Sequence, residues 1–315
     1  MKKQLKTTAL ALPFLLLSQS VLGAQSVDKR IDVEGDLRLN LEVRRGEVEI
    51  LSWDQEAIVI TGTLDEQSEG LTVEQSAGTI SIEDKLPRHY SGSNKQGSRL
   101  TVKVPRQLKL NSEGVSANYR VSKLSGDINV QTVSGNIKAE ELTERVSINT
   151  VSGDITSQGL EGKLKLETVS GKIKDKQSLG KVSYTLVSGK LEADSGADQV
   201  SIELVSGDAK LTLDKVDRLK AQSVSGNLNL AVSALTTKAS LDSVSGDINF
   251  SLPANLDATF AIDGGPSGDI DNRLSPDKPK RPKYGPGSSL KFQLGKGSAD
   301  ILINTISGDI DLKSN

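Results

Sequence analysis

The sequence predicts an all-β fold, a flattened parallel β-solenoid (a β-helix or β-roll) with roughly 18 residues per turn. Two observations predict it. A hydrophobic residue, Ser and Gly recur together, and from Gly135 the glycines fall at 153, 171, 189 and 207, then at 226 and 246. Between these corners, short runs alternate apolar and polar residues. A fixed period of roughly 20 residues marks a stacked repeat architecture. Alternation with period two marks a half-buried strand.

The first element is a leader. Lys2, Lys3 and Lys6 precede an apolar stretch over residues 9–17, and Val21-Leu22-Gly23-Ala24 supplies small residues for cleavage. Residues 1–24 therefore read as a secretory signal peptide, because the apolar run is too short to span a bilayer. Its removal takes away three lysines and no acid, moving the net charge from −2 to roughly −5. That balance argues against nucleic acid as a partner. No later segment is apolar enough for a transmembrane span. The chain has no Cys, so disulfides, thiolate chemistry and cysteine-linked lipid are excluded. Aromatic residues make up only 3% of the chain, so the core must be aliphatic.

Residues 25–120 are less regular and read as an N-terminal β cap merging into early coils. Strand-like runs occur at 37–43, 47–51, 57–64, 79–83 and 100–104, and the polar, Gly/Ser-rich residues 88–98 read as a loop. A solenoid needs atypical end units to cover its open ends.

Residues 121–270 carry the regular repeats. Ile128, Val146, Leu164, Val182 and Val200 form one apolar column. Val130, Ile148, Leu166, Tyr184 and Ile202 form a second, and Ile137, Ile155, Ile173, Leu191 and Ala209 a third. Stacking them in register places like residues about 4.8 Å apart. A second, looser corner steps from Gly126 to Glu144, Gly162, Gly180 and Asp198. A left-handed hexapeptide helix would give the same turn length, but from Leu160 and Leu166 its rhythm lands on Lys172. The sequence leaves handedness open.

Residues 271–289 hold Pro276, Pro279, Pro282 and Pro286. Proline cannot donate to a ladder, so this segment reads as an excursion from the coil. Residues 290–315 return to the pattern as a final coil ending in Ile306-Ser307-Gly308-Asp309-Ile310.

These Thr-Val-Ser-Gly-Asp-Ile repeats resemble those of the bacterial putative-adhesin β-strand-repeat family, a domain of unknown function. The resemblance extends to Ser52-Trp53-Asp54, to Val102-Lys103-Val104-Pro105 and to the closing repeat, and so covers nearly the whole chain after the leader. It implies the repeat fold and an envelope or surface setting. It implies no activity.

The structural corners are assigned to Gly126, Gly135, Gly153, Gly171, Gly189, Gly207, Gly226, Gly246 and Gly308, on the expectation that each bend needs positive φ. The preceding serines (Ser134, Ser152, Ser170, Ser188, Ser206, Ser225 and Ser245) are expected to bond corner backbone groups. The residue after Gly is expected to form a charge ladder, with Asp154 facing Lys172 and Lys190 facing Asp208. The two lysines in that column speak against calcium held as in a repeat-in-toxin β-roll.

No catalytic residue, metal ligand or cofactor is assigned. His89 is the only histidine and cannot serve seven serines. Glu140, Glu141 and Glu144 lack the aromatic groove expected of a glycan hydrolase, and Trp53 reads as a partly buried cap residue. The one concentrated basic stretch, Lys278, Lys280, Arg281, Lys283 and Tyr284, is a candidate interaction loop for anionic surfaces. The expected function is a non-catalytic, exported, adhesin-like interaction scaffold in the periplasm, at the cell surface or secreted. Its partner would be an envelope protein or glycan. The alternatives are a polysaccharide-active β-helix enzyme and a calcium-dependent β-roll.

Overall fold

The computed structural model of the chain describes residues 25–76, 78–88, 97–284 and 286–315. The leader at 1–24, His89 and most of the 88–98 loop lie outside the described residues. The fold is all-β. Among the described residues no helix occurs, and the strands all join one solenoid-like sheet.

Through the regular repeats each strand pairs in parallel with its equivalent in the next repeat. The strand Glu161–Lys176 lies beside Leu179–Ser195, with Leu164 opposite Val182, Leu166 opposite Tyr184 and Ile173 opposite Leu191. All three apolar columns read from the sequence are buried. The offset between partners grows by one position at Ala209–Leu228 and by two at Arg218–Lys238, across an irregularity between Val216 and Arg218. This is the physical origin of the longer glycine steps.

Both ends depart from the pattern. Near the start, Ser26–Asp32 pairs antiparallel with Ala57–Thr63, and Gly70–Ser76 pairs antiparallel with Thr79–Lys85. Arg38–Val43 and Arg45–Trp53 instead pair in parallel with later strands. Near the finish, Ala258–Asp263 pairs antiparallel with Ser289–Leu294 and parallel with Ala299–Thr305. Ala299–Thr305 also joins the regular stack, with Ile303 opposite Leu241. The proline-rich stretch is thus part of an insertion between two stacked strands.

One continuous aliphatic core runs from Val27 to Leu312. Among the described residues, charged side chains are buried in two regions. Near the start, buried Arg45 donates to buried Asp65, while Ser98 and Ser68 both donate to buried Asp84. In the regular region, buried Asp175 accepts from Ser157 (2.6 Å), Ser178 (2.7 Å) and Tyr184 (2.6 Å). Burial, with the Asp175 carboxylate beside it, pushes the Tyr184 phenol well above its usual range.

Candidate interaction surfaces

The repeating corner has four positions with distinct roles. The first is a buried Thr or Ser in most rungs and buried Leu186 or Leu204 in two. Thr150 Oγ1 donates to the carbonyl of Gly135 (3.1 Å), and Thr168 repeats the contact with Gly153 (3.2 Å). Ser223 and Ser243 make the equivalent bonds to Gly226 and Gly246 within their own corners. The corner serines do not fill this role: Ser134, Ser152 and Ser170 are exposed, and it is the Thr two residues earlier that bonds the backbone. A hydroxyl at a buried position meets a carbonyl that water cannot reach, whereas an exposed one has water for a partner.

The fourth position, glycine, is required chiefly by close approach rather than by positive φ. Gly171 has no positive φ, yet a Cβ built on it would stand 2.0 Å from the Gly153 carbonyl oxygen. At Gly226 the distance would be 1.7 Å. Only four of the nine assigned corners (Gly126, Gly189, Gly207 and Gly246) have positive φ.

The residue after Gly forms a side-chain-to-backbone ladder instead of facing ion pairs. Asn136 Oδ1 accepts from the backbone N–H of Asp154 (2.9 Å), and Asp154 Oδ1 accepts from that of Lys172 (2.8 Å). The ladder resumes through Asn227, Asp247, Asp309 and Asp269. The Lys172 ammonium turns to Glu192 (2.7 Å), and that hydrogen bond lowers the Glu192 carboxyl below its usual range.

The second corner position is an exposed aliphatic one. Val115, Val133, Val151, Val169, Val187, Val205, Val224, Val244 and Ile306 are each 42–53% exposed. Backbone bonds such as Ser152 N–H to the Val133 carbonyl (2.8 Å) and Ser170 N–H to the Val151 carbonyl (2.8 Å) hold neighbours one rung apart. Eight steps of ~4.8 Å make a ridge roughly 38 Å long. A shallow groove of about 590 Å³ flanks it, between Val133, Val151, Val169 and Val187 on one side and Gln131, Asn149, Glu167 and Thr185 on the other. The sequence carried the signal in its Val-Ser-Gly triplets, where alternation assigns the Val to neither strand face.

A model of the Toastrack DUF4097 family matches residues 37–313. The chain belongs to this family. It is a domain of unknown function, as the Val-Ser-Gly-Asp repeats imply. No curated protein matches this Toastrack chain. Among solved structures, it is similar to a putative lipid binding protein from Parabacteroides distasonis, at 13% identity over 91% of this chain and 96% of that one, with a TM-score of 0.42. It is also similar to a putative adhesin from Bacteroides fragilis, at 11% identity, 92% and 98% coverage and a TM-score of 0.33. A putative cell adhesion protein from Clostridium sporogenes matches at 11% identity, with 92% and 100% coverage and a TM-score of 0.23.

The other residues singled out in the Toastrack sequence fall as follows. Lys278, Lys280, Arg281, Lys283 and Tyr284 are all exposed, with Tyr284 at 84%. Arg281 is held to Asp269 (2.5 Å), the last carboxylate of the corner ladder, and Lys280 exchanges backbone bonds with Ser289. Lys283 Nζ lies 5.4 Å from the Tyr284 ring centre. Trp53 is half-buried; its Nε1 donates to the Ala57 carbonyl (2.7 Å) and Arg30 lies over its ring. Glu140 pairs with Lys138 (2.5 Å), which holds its carboxyl below the usual range. Glu144 accepts from Gln107 and Ser125. Among the described residues, no three His, Asp or Glu side chains converge as metal ligands, and no helix is long and apolar enough to cross a membrane.

Proposed function

We propose that the chain is a non-catalytic, exported β-solenoid that serves as an adhesin-like interaction scaffold of a bacterial envelope or surface. The exposed aliphatic ridge is the observation that carries this reading. Contiguous apolar patches of a few hundred Å² on a soluble surface mark contact sites, and this one is linear and repeats once per rung. The occupant that fits it is a second copy of this chain. A second stack has the same rung spacing and presents apolar groups at the same interval, and a two-fold contact would lay the two ridges side by side. The exposed Lys278, Lys280 and Lys283, beside Arg281 held to Asp269, give the same scaffold a second contact for an anionic surface.

Sedimentation of the full chain after leader removal tests the ridge. The expected result is a concentration-dependent dimer that the double variant Val151→Asp/Val187→Asp reduces to monomer, with its melting transition retained. A wild-type monomer at every concentration, or a dimer untouched by the substitutions, would remove the ridge as the contact. Release of sugar fragments from a polysaccharide panel would overturn the non-catalytic part.

A further inference from the structure

The opposite border of one sheet face carries a row of cations. Strand register places Arg38 beside Lys109, Lys109 beside Asp127, Asp127 beside Arg145, Arg145 beside Lys163, and Lys163 beside Lys181. All six side chains are exposed. Five steps of ~4.8 Å spread them over about 24 Å. None of the five cations makes an ion pair with a described carboxylate. Three lysines elsewhere are paired, Lys138 with Glu140, Lys165 with Glu167 and Lys172 with Glu192. Four of the five, Arg38, Lys109, Arg145 and Lys163, line a concave groove of about 660 Å³.

Like charges one rung apart repel, as at Arg38–Lys109 and Arg145–Lys163–Lys181, and an outside anion relieves that repulsion, whereas Lys109 and Arg145 also have Asp127 one rung away. Asp127 is the one acid in the row; Asp36 and Glu144 also line the groove, and Glu144 is engaged by Gln107 and Ser125. Two residues inward on the same face, Asn40, Asn111 and Asn129 form a second row, with Asn129 donating to Asn111 (2.7 Å). Asn40 likewise donates to Ser81 and Asn111 to Glu113 (2.8 Å), so each amide has one N–H engaged and a second left for a hydroxyl group.

We propose that this border of the sheet face binds an acidic polysaccharide strand, its carboxylates or other anionic groups meeting the cation row in the groove and its hydroxyls the asparagine row beside it. The row is linear and concave, which suits a strand rather than a planar lipid surface. It contains no aromatic side chain, which single-stranded nucleic acid would use for base stacking. The groove lies apart from the aliphatic ridge, so its fate and the ridge's are tested separately.

The test is titration of the leader-free chain with a polygalacturonate oligosaccharide at several salt concentrations. Binding is expected, weakening steeply with salt. Lys109→Gln/Arg145→Gln should weaken it about tenfold or more. Lys138→Gln/Lys172→Gln removes the same charge from paired lysines and should change it by less than about twofold. Asp127→Asn should tighten binding. Equal loss in both double variants, no binding at low salt, or equally tight binding of single-stranded DNA or anionic vesicles would overturn the proposal. The Val151→Asp/Val187→Asp variant should bind the oligosaccharide as the wild type does. Loss of binding there would also overturn the groove assignment.

Discussion

The regular stack and the N-terminal region bury comparable aliphatic cores but handle polar groups in opposite ways. In the stack, one solution is repeated: a buried Thr or Ser on a corner carbonyl, a glycine against the carbonyl of the rung before, an Asn or Asp on the backbone of the rung after. Charges stay outside the bends. Near the start, each strand meets different neighbours, and the solutions are singular. Arg45 and Asp65 are paired inside the protein, and Asp84 is held by Ser98 and Ser68. Where rungs repeat, one local rule serves the bends and only buried Asp175 is matched singly among the described residues, by Ser157, Ser178 and Tyr184; where no rung repeats, buried charge has to be matched side chain by side chain.

The largest test of this contrast is Asp65→Ala. It leaves the Arg45 guanidinium buried with a principal partner gone, and removes the acceptor for the Gln67 N–H (2.8 Å). A buried charge stripped of its partner costs about 3–5 kcal/mol. Chemical denaturation should show that loss; a change below about 1 kcal/mol would mean the pair is not matched as described.

Next comes Gly171→Val in the stack. The added side chain meets the Gly153 carbonyl, so two rungs must part, with an expected loss of about 1–3 kcal/mol. Lys165→Val, on an exposed strand position, should stay within about 0.5 kcal/mol. Equal tolerance at both sites would show that the rungs are not held this closely.

The legibility of the molecule follows the same division. Periodicity revealed the all-β character, the buried columns and the corners, because identical environments select like residues once per turn. Its reason for glycine, positive φ, holds at four of the nine corners and not at the other five, since spacing reports that a side chain is excluded and not whether torsion or close approach excludes it. It missed Asp175, although stepping by one period through Ala139, Ser157 and Ala193 places that residue in a core column. The cation row was legible in the same way at 109, 145, 163 and 181, but only on reading outward columns as carefully as inward ones. Arg38 lies outside the period and was not. The Arg45–Asp65 pair had no signal at all, because its partners lie well apart in a region without repeats.

The smallest effect separates the two hydroxyls of one corner. Thr150 and Ser152 are neighbours in the motif, yet one points inward to a carbonyl and the other outward to water. Thr150→Val keeps the shape and deletes the bond to Gly135, leaving a buried carbonyl with one acceptor site less satisfied. The expected loss is about 1 kcal/mol. Ser152→Ala removes a hydroxyl that water already serves, and should lie within about 0.5 kcal/mol of the wild type. The pair is best compared by denaturant midpoint, since neither change alters the surface exposed on unfolding enough to shift the slope. A larger loss at Ser152 than at Thr150 would reverse the corner assignment, and with it the reason that the regular stack needs no buried charge at its bends.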